Sequence, residues 1–170
     1  MDVMDAIRKR YSCRSYESRE VPADVLDELL EAARLAPSAR NFQDWRFVVV
    51  TEPKIRENLC RQALRQDFVR QAPVIIVACS SNPYVMRCGQ RIGPIDVAIA
   101  MEHIVLAAVA KGLGACWLGA FKPYKVRQVL GIPSHIEIVD LLALGWPAQA
   151  GQSPDRLPTH RIACRNRWTF

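Results

Sequence analysis

Apolar positions in this chain recur first at helical and then at strand spacing, and each change of period marks an element. Asp2 to Arg10 has helical character and ends in the polar run Tyr11-Ser12-Cys13-Arg14-Ser15. After Pro22, which suits a first helical position, Val25, Leu26, Leu29, Leu30 and Ala33 fall on one face of a helix that Pro37 ends. A loop over 37–44 follows. The aromatic and β-branched run Trp45 to Val50 then predicts a strand. Thr51 as N-cap and Pro53 open another amphipathic helix, with Ile55, Leu59 and Leu64 on one side.

Pro73 to Cys79 is a continuous β-rich run, as in a strand covered on both faces, so helices must lie on both sides of the sheet. Ser80 to Pro94 is the one long irregular stretch. The helix Ile95 to Lys111 is almost wholly Ala, Val, Ile, Leu and Met, broken by Asp96, Glu102 and His103, and is expected to be buried all round. A small domain seldom buries a whole helix, which predicts a subunit interface. Gly112-Leu113-Gly114 stops that helix; a strand Ala115 to Phe121, a short helix Pro123 to Leu130 and a last strand Ile136 to Trp146 follow. Beyond Pro147 the chain is polar and too poor in apolar residues to fold alone, so it is expected to wrap over a neighbouring subunit. Two helices precede the first strand, giving three layers about a central sheet without the even alternation of a doubly wound fold. No G-x-G-x-x-G or P-loop motif follows a strand.

The 170 residues, half of them hydrophobic and 24% charged, predict one packed domain over 1–170 and exclude disordered or collagenous chains. The longest uninterrupted apolar runs fall far short of the roughly 18 residues that spanning a bilayer takes. The start Met1-Asp2-Val3-Met4-Asp5 has no apolar leader, which predicts a cytoplasmic protein without a membrane partner. A formal charge of +6 favours an anionic ligand. The arginines are scattered, however, and no basic block resembles a nucleic-acid arm. Six cysteines stand far apart with no C-x-x-C pair, so they read as reduced thiols, and neither a structural zinc nor a catalytic metal is expected. Cys13, although beside Arg14, is read in the same way.

Three clusters carry chemistry. In Arg10-Tyr11-Ser12-Cys13-Arg14, two guanidiniums and a hydroxyl can converge on one phosphate, although a solvated basic helix end would look the same. In Pro37-Ser38-Ala39-Arg40-Asn41-Phe42-Gln43-Asp44-Trp45, Asn41 and Gln43 offer paired donors and acceptors suited to a heterocycle edge, or merely make a turn. In Gly112 to Phe121, small residues let backbone approach a flat ligand, or serve a helix cap and a core strand.

In this order and at these intervals the three clusters, together with Asp96 at the head of the apolar helix and Gly145-Trp146-Pro147-Ala148, resemble the nitroreductase family of FMN-dependent oxidoreductases over Met4 to about Trp168. The resemblance implies an α+β, three-layer α/β/α sandwich with a mixed central sheet, and a homodimer with two FMN sites between subunits. It implies phosphate and flavin contacts from Arg10, Tyr11, Ser12 and Arg14, and an amide reading the pyrimidine side from Asn41, with Gln43 beside it. Gly119 and Ala120 match the strand end facing the flavin N5 region, and Arg156 matches an arginine on the phosphate. The implied activity is hydride transfer from NAD(P)H to flavin and on to a nitroaromatic or quinone-like acceptor, ping-pong, with no side-chain nucleophile; His103, His135 and His160 are then not needed as acid or base. The alternatives are an FMN-binding protein that stores or senses the cofactor with little turnover, and, from the charge alone, a small nucleic-acid binder.

Three departures from the family pattern stand out. Asp44 occupies a position usually held by Pro, Tyr11 one often held by Arg, His or another polar residue, and the segment Ser80 to Pro94 is shorter than the lid of larger members.

Overall fold

The computed structural model describes residues 1–170. Helix α1 (Val3–Lys9) starts at Asp2, whose Oδ1 accepts the Met4 N–H at 2.9 Å, and ends with Arg8 and Lys9 at its negative pole. Helix α2 (Ala23–Arg34) buries Leu29 and Ala33. A 3₁₀ turn over Ala39–Asn41 precedes strand β1 (Trp45–Val50). Helix α3 (Pro53–Gln62) begins at its proline, but Glu52 rather than Thr51 holds the capping position and no side chain caps it. A 3₁₀ segment, Asp67–Gln71, leads to β2 (Val74–Ser80), every residue of which is buried. Then come α4 (Ile92–Ala110), β3 (Gly114–Trp117), α5 (Pro123–Leu130) and β4 (Glu137–Gly145).

The strands lie in the order β1-β2-β4-β3, and every neighbouring pair is antiparallel. The expected mixed sheet is therefore corrected. Val50 stands opposite Ile75, so α3 and the 3₁₀ segment carry the chain out and back to the end of the sheet they left. A parallel pair needs a crossover to the opposite end. The one parallel pairing at this sheet is an isolated bridge between Ser12 and Ala115.

Residues alternate between two cores. Ile75, Val77, Leu141, Ala143 and Cys116 face Leu59 of α3 and Val126 of α5. Ile76, Ala78, Leu142, Leu144 and Ala115 face Leu29 and Ala33 of α2 and Met101, Ile104 and Ala108 of α4. Three layers result, as expected.

Helix α4 starts at Ile92, three residues before the expected Ile95, because Pro94 sits in the first turn, where a missing N–H costs nothing. Its 19 residues and mean hydropathy of 1.7 are those of a bilayer-spanning helix, although no uninterrupted run in the sequence is that long. Half of it is buried inside this domain, which marks it as a core helix. Burial is not all round, though: Ile95 and Ile99 remain 37% and 36% exposed. The residues after Pro147 form no strand or α-helix, only a 3₁₀ turn at Thr159–Arg161, and Leu157, Ile162, Trp168 and Phe170 project into solvent.

Candidate functional site

At Arg10 the chain leaves α1 in an extended conformation and runs beside β3. The Cys13 N–H donates to Ala115 O at 3.0 Å. A β-carbon on Gly114 would stand 2.6 Å from Cys13 Cβ, so the glycine permits this close approach. Three residues on, the buried Tyr16 hydroxyl donates to Cys13 O at 2.8 Å and lies 3.2 Å from Ala143 O. Burial, reinforced by Cys13, pushes the Tyr16 pKa up and keeps that hydroxyl a donor. The segment is thus fixed to the sheet from its inner side.

Its outer side, Tyr11 to Ser15, lines a cavity of about 320 Å3 whose other wall is Gln149 to Gln152. Tyr11 crosses this space and donates to Gln149 O at 3.3 Å. Burial, then Cys13, raises its pKa. A β-carbon on Gly151 would collide with the Tyr11 ring, so glycine is required there. Arg14 Nη1 reaches only Ser12 O, at 3.4 Å, and neither Arg10 nor Arg14 enters any of the four ion pairs. The cavity therefore carries uncommitted positive charge beside a hydroxyl, a donor set suited to phosphate.

Gly119 and Ala120 lie just past the end of β3, held near β4 by the Leu118 N–H to Leu141 O bond of 2.8 Å. Both are exposed, and a β-carbon on Gly119 would meet nothing within 4 Å. The surface is open at this point, so a flat ligand can lie against the backbone. Arg156 is not brought to this group. It is exposed and turned onto its own chain, with Nη1 2.6 Å from Pro154 O.

Asn41 and Gln43 belong to a second patch. Arg40, Asn41 and Gln43 all have positive φ (52°, 57° and 52°), a conformation that costs non-glycine residues roughly 1–3 kcal/mol each and persists only where the surroundings impose it. Here the buried Asp96 carboxylate accepts the Ala39 N–H at 3.1 and 3.2 Å, and Ser38 Oγ accepts the Gln43 N–H at 3.1 Å. Arg46 Nη1 donates to Gln43 O and Trp45 O at 3.1 and 2.7 Å. Gln43 Nε2 donates to the Asn41 backbone O at 3.2 Å, and the exposed Asn41 side-chain amide has no hydrogen-bond partner in the chain. Asp96 is pushed up by burial, pulled down by the Ala39 N–H and raised again by Asp44.

Several contacts here were not foreseen from the sequence. Ser80 Oγ donates to Asp44 Oδ2, while the buried Asp44 Oδ1 has no partner. Ser80 Oγ also accepts the Asn82 N–H at 3.2 Å, and Asn82 Oδ1 accepts the Tyr84 N–H at 2.9 Å. The short segment before α4 is thereby tied to the Asn41 loop. A β-carbon on Gly93 would collide with Ser80 Oγ, which explains the glycine in the first turn of α4. The only sequence trace of this arrangement is the carboxylate at Asp44 where the family pattern has Pro.

The cysteines offer no reactive group at either patch. Cys13 is buried, its Sγ 3.3 Å from Ser15 O, and burial raises Cys60 and Cys116 and pushes Cys79 up to about 11. His103 is half-buried with Nδ1 3.1 Å from Ala32 O, joining α4 to α2, and His135 and His160 are exposed.

The model of the nitroreductase family matches residues 7–64 and 57–146. A protein of Thermus thermophilus named NADH dehydrogenase is 35% identical, the alignment covering 95% of each chain. A protein of Methanothermobacter thermautotrophicus, named as a candidate NADH dehydrogenase/NAD(P)H nitroreductase, is 34% identical over 95% of this chain and 86% of its own. The crystal structure of a nitroreductase family protein from Clostridium difficile superposes with a TM-score of 0.88 at 28% identity, covering 99% of this chain and all of the other. With the family model matched across most of its length and such relatives along nearly all of it, the chain belongs to the nitroreductase family of NAD(P)H oxidoreductases.

Proposed function

We propose that the protein is an FMN-dependent oxidoreductase of 170 residues that takes reducing equivalents from NAD(P)H and delivers them, ping-pong, to a nitroaromatic or quinone-like acceptor. The observation that carries this reading is the unpaired guanidinium of Arg14 and the Ser12 hydroxyl at one cavity, with the unpaired Arg10 next in the chain. A dianionic phosphate matches that donor set, and the bare Gly119 strand end matches a flat ring. Bound FMN would supply two-electron exchange with the nicotinamide donor and then with the acceptor.

The residues then have distinct tasks. Arg10, Ser12 and Arg14 hold the phosphate, Arg14 also offering charge toward the pyrimidine edge, and Tyr11, its hydroxyl committed to Gln149, walls the cavity. The free Asn41 amide reads donors and acceptors on the ring edge, and Gln43 fixes the Asn41 backbone. Gly119 and Ala120 present backbone to the ring. No protein nucleophile, acid, base or metal is assigned a step.

The first patch and the Asn41 patch share no hydrogen bond within one chain, so the reading includes a homodimer in which two copies complete each site. Exposed Ile95 and Ile99 on α4 supply an apolar contact, and the tail carrying Arg156 would reach a phosphate from the partner side. The reading sets the protein in the cytoplasm, without nucleic-acid or membrane partners.

The test is the absorption spectrum of the purified protein, reconstituted with FMN, before and after anaerobic NADH or NADPH. A flavin spectrum bleached by either donor and restored by a nitroaromatic is expected. Tight FMN binding without bleaching would favour a storage or sensing protein, and no flavin binding would overturn the reading.

A further inference from the structure

Tyr84 lies in the short segment between β2 and α4, and it meets two residues of the strained loop. The Arg40 guanidinium carbon stands 4.9 Å from the centre of the Tyr84 ring, and the Phe42 ring is centred 5.9 Å from it, inclined at 54°. This contact is built from both sides. Tyr84 is set by its N–H bond to Asn82 Oδ1 and by its carbonyl, which accepts the Ile92 N–H at 3.2 Å. Arg40 and Phe42 are set by the Asp96 and Ser38 bonds that impose positive φ on the loop. Arg40 is exposed and has no carboxylate partner. Phe42 is 43% exposed, so an aromatic face and an uncompensated cation are presented together.

We propose that Arg40, Phe42 and Tyr84 form a specificity element that selects aromatic substrates carrying a negatively charged group. The inference rests on the oxidoreductase reading, since Asn41, which that reading sets at the ring, adjoins Phe42 in the loop. Phe42 and Tyr84 give a flat substrate two rings to lie against. Arg40, held over Tyr84 rather than neutralised, accepts a carboxylate or phosphate in its fork. The anion has two possible sources, the 2′-phosphate that distinguishes NADPH from NADH or an acidic substituent on the acceptor, and both bind by the same chemistry.

Calorimetric titration of the protein as purified separates the sources without relying on turnover. The probes are two matched pairs, NADP+ with NAD+ and 4-nitrobenzoate with 4-nitrobenzamide. The wild type is expected to bind the anionic member of at least one pair about 10-fold more tightly, and Arg40→Gln to lose that preference while leaving the neutral member within about 2-fold. Arg40→Lys should keep part of the preference. The pair that responds identifies the source of the anion. No preference in either pair, or a preference that survives in Arg40→Gln, overturns the proposal. An equal weakening of charged and neutral probes also overturns it, because that is the mark of a loop that has only lost its shape. Failure of the oxidoreductase reading would appear separately, as an absent or unbleached flavin spectrum.

Discussion

Ser80 and Asp44 are joined by a side-chain hydrogen bond at the point where β2 ends and β1 begins, one step beyond the register pair Trp45 and Ser80. Through Asn82 the same serine reaches the segment that carries Tyr84, and Asp44 lies close enough to Asp96 to raise its pKa. Two buried carboxylates thus share the base of the Asn41 loop.

Asp44→Asn is therefore expected to keep the fold, because an amide oxygen can still accept from Ser80, and to lower the Asp96 pKa toward its ordinary value. Asp96 is raised in the folded protein, so it binds its proton more tightly there than in the unfolded chain. Its favourable contribution to folding is fully present below the unfolded pKa and is lost as pH rises through the folded one. Removing the Asp44 charge reduces that loss. Carboxyl carbon NMR titration of Asp96 checks it: an unchanged midpoint would show that Asp44 does not contribute to the shift.

Replacing Arg10 by Ala should remove charge-assisted bonds to phosphate worth roughly 1.5–3 kcal/mol, a loss of about 10- to 150-fold in FMN affinity. The variant should purify folded but largely colourless. Arg10→Lys should recover only part of the affinity, since an ammonium cannot reproduce the guanidinium fork. Riboflavin, which lacks the phosphate, should bind the wild type weakly and be indifferent to this change. Fluorescence titration of both flavins decides it: equal FMN affinity for wild type and Arg10→Ala would remove Arg10 from the phosphate site.

Much of the fold was legible because the chain is punctuated. β1 and α5 occupy the residues their patterns indicate, each bounded by turn residues or proline. The start of α4 was misread because Pro94 looks like a break from the sequence and is a tolerated first-turn residue in the structure. Strand direction was not legible, since a strand buried on both faces, such as Val74–Ser80, reads the same in parallel or antiparallel pairing. Of the motif Arg10 to Arg14, the residues Tyr11 to Arg14 line one cavity and Arg10 does not, while Arg156 stays with its own backbone. The Arg40–Tyr84 and Asp44–Ser80 contacts join positions 44 and 36 apart, a distance over which no local pattern carries information.

Two glycines near the proposed site should respond oppositely to alanine. A methyl on Gly93 collides with Ser80 Oγ against rigid helix backbone, and overpacking of this kind typically costs about 1–3 kcal/mol. Gly119 has open space, so Gly119→Ala should leave stability within about 0.5 kcal/mol of wild type while weakening flavin binding. Urea unfolding paired with FMN titration reads both. A stable Gly93→Ala, or a Gly119→Ala that binds FMN as well as wild type, would contradict the assignment concerned.

The last prediction concerns α4. Ile95 and Ile99 are one turn apart on a half-buried helix, both more than a third exposed, with half-buried Leu106 farther along the same face. Fully burying such a side chain stabilises by roughly 1.5–3 kcal/mol, and in a two-fold contact each contributes twice. A glutamate there would have to be desolvated without a partner, which costs more than the lost burial. Ile99→Glu is therefore expected to be monomeric at micromolar concentration yet to keep the wild-type circular dichroism, since position 99 faces outward within one chain. Because two copies would complete each cofactor site, the same variant should lose flavin on gel filtration. Sedimentation equilibrium distinguishes the outcomes. A wild-type protein that is monomeric at these concentrations, or an Ile99→Glu variant that dimerises with unchanged affinity, would show that α4 does not form the interface.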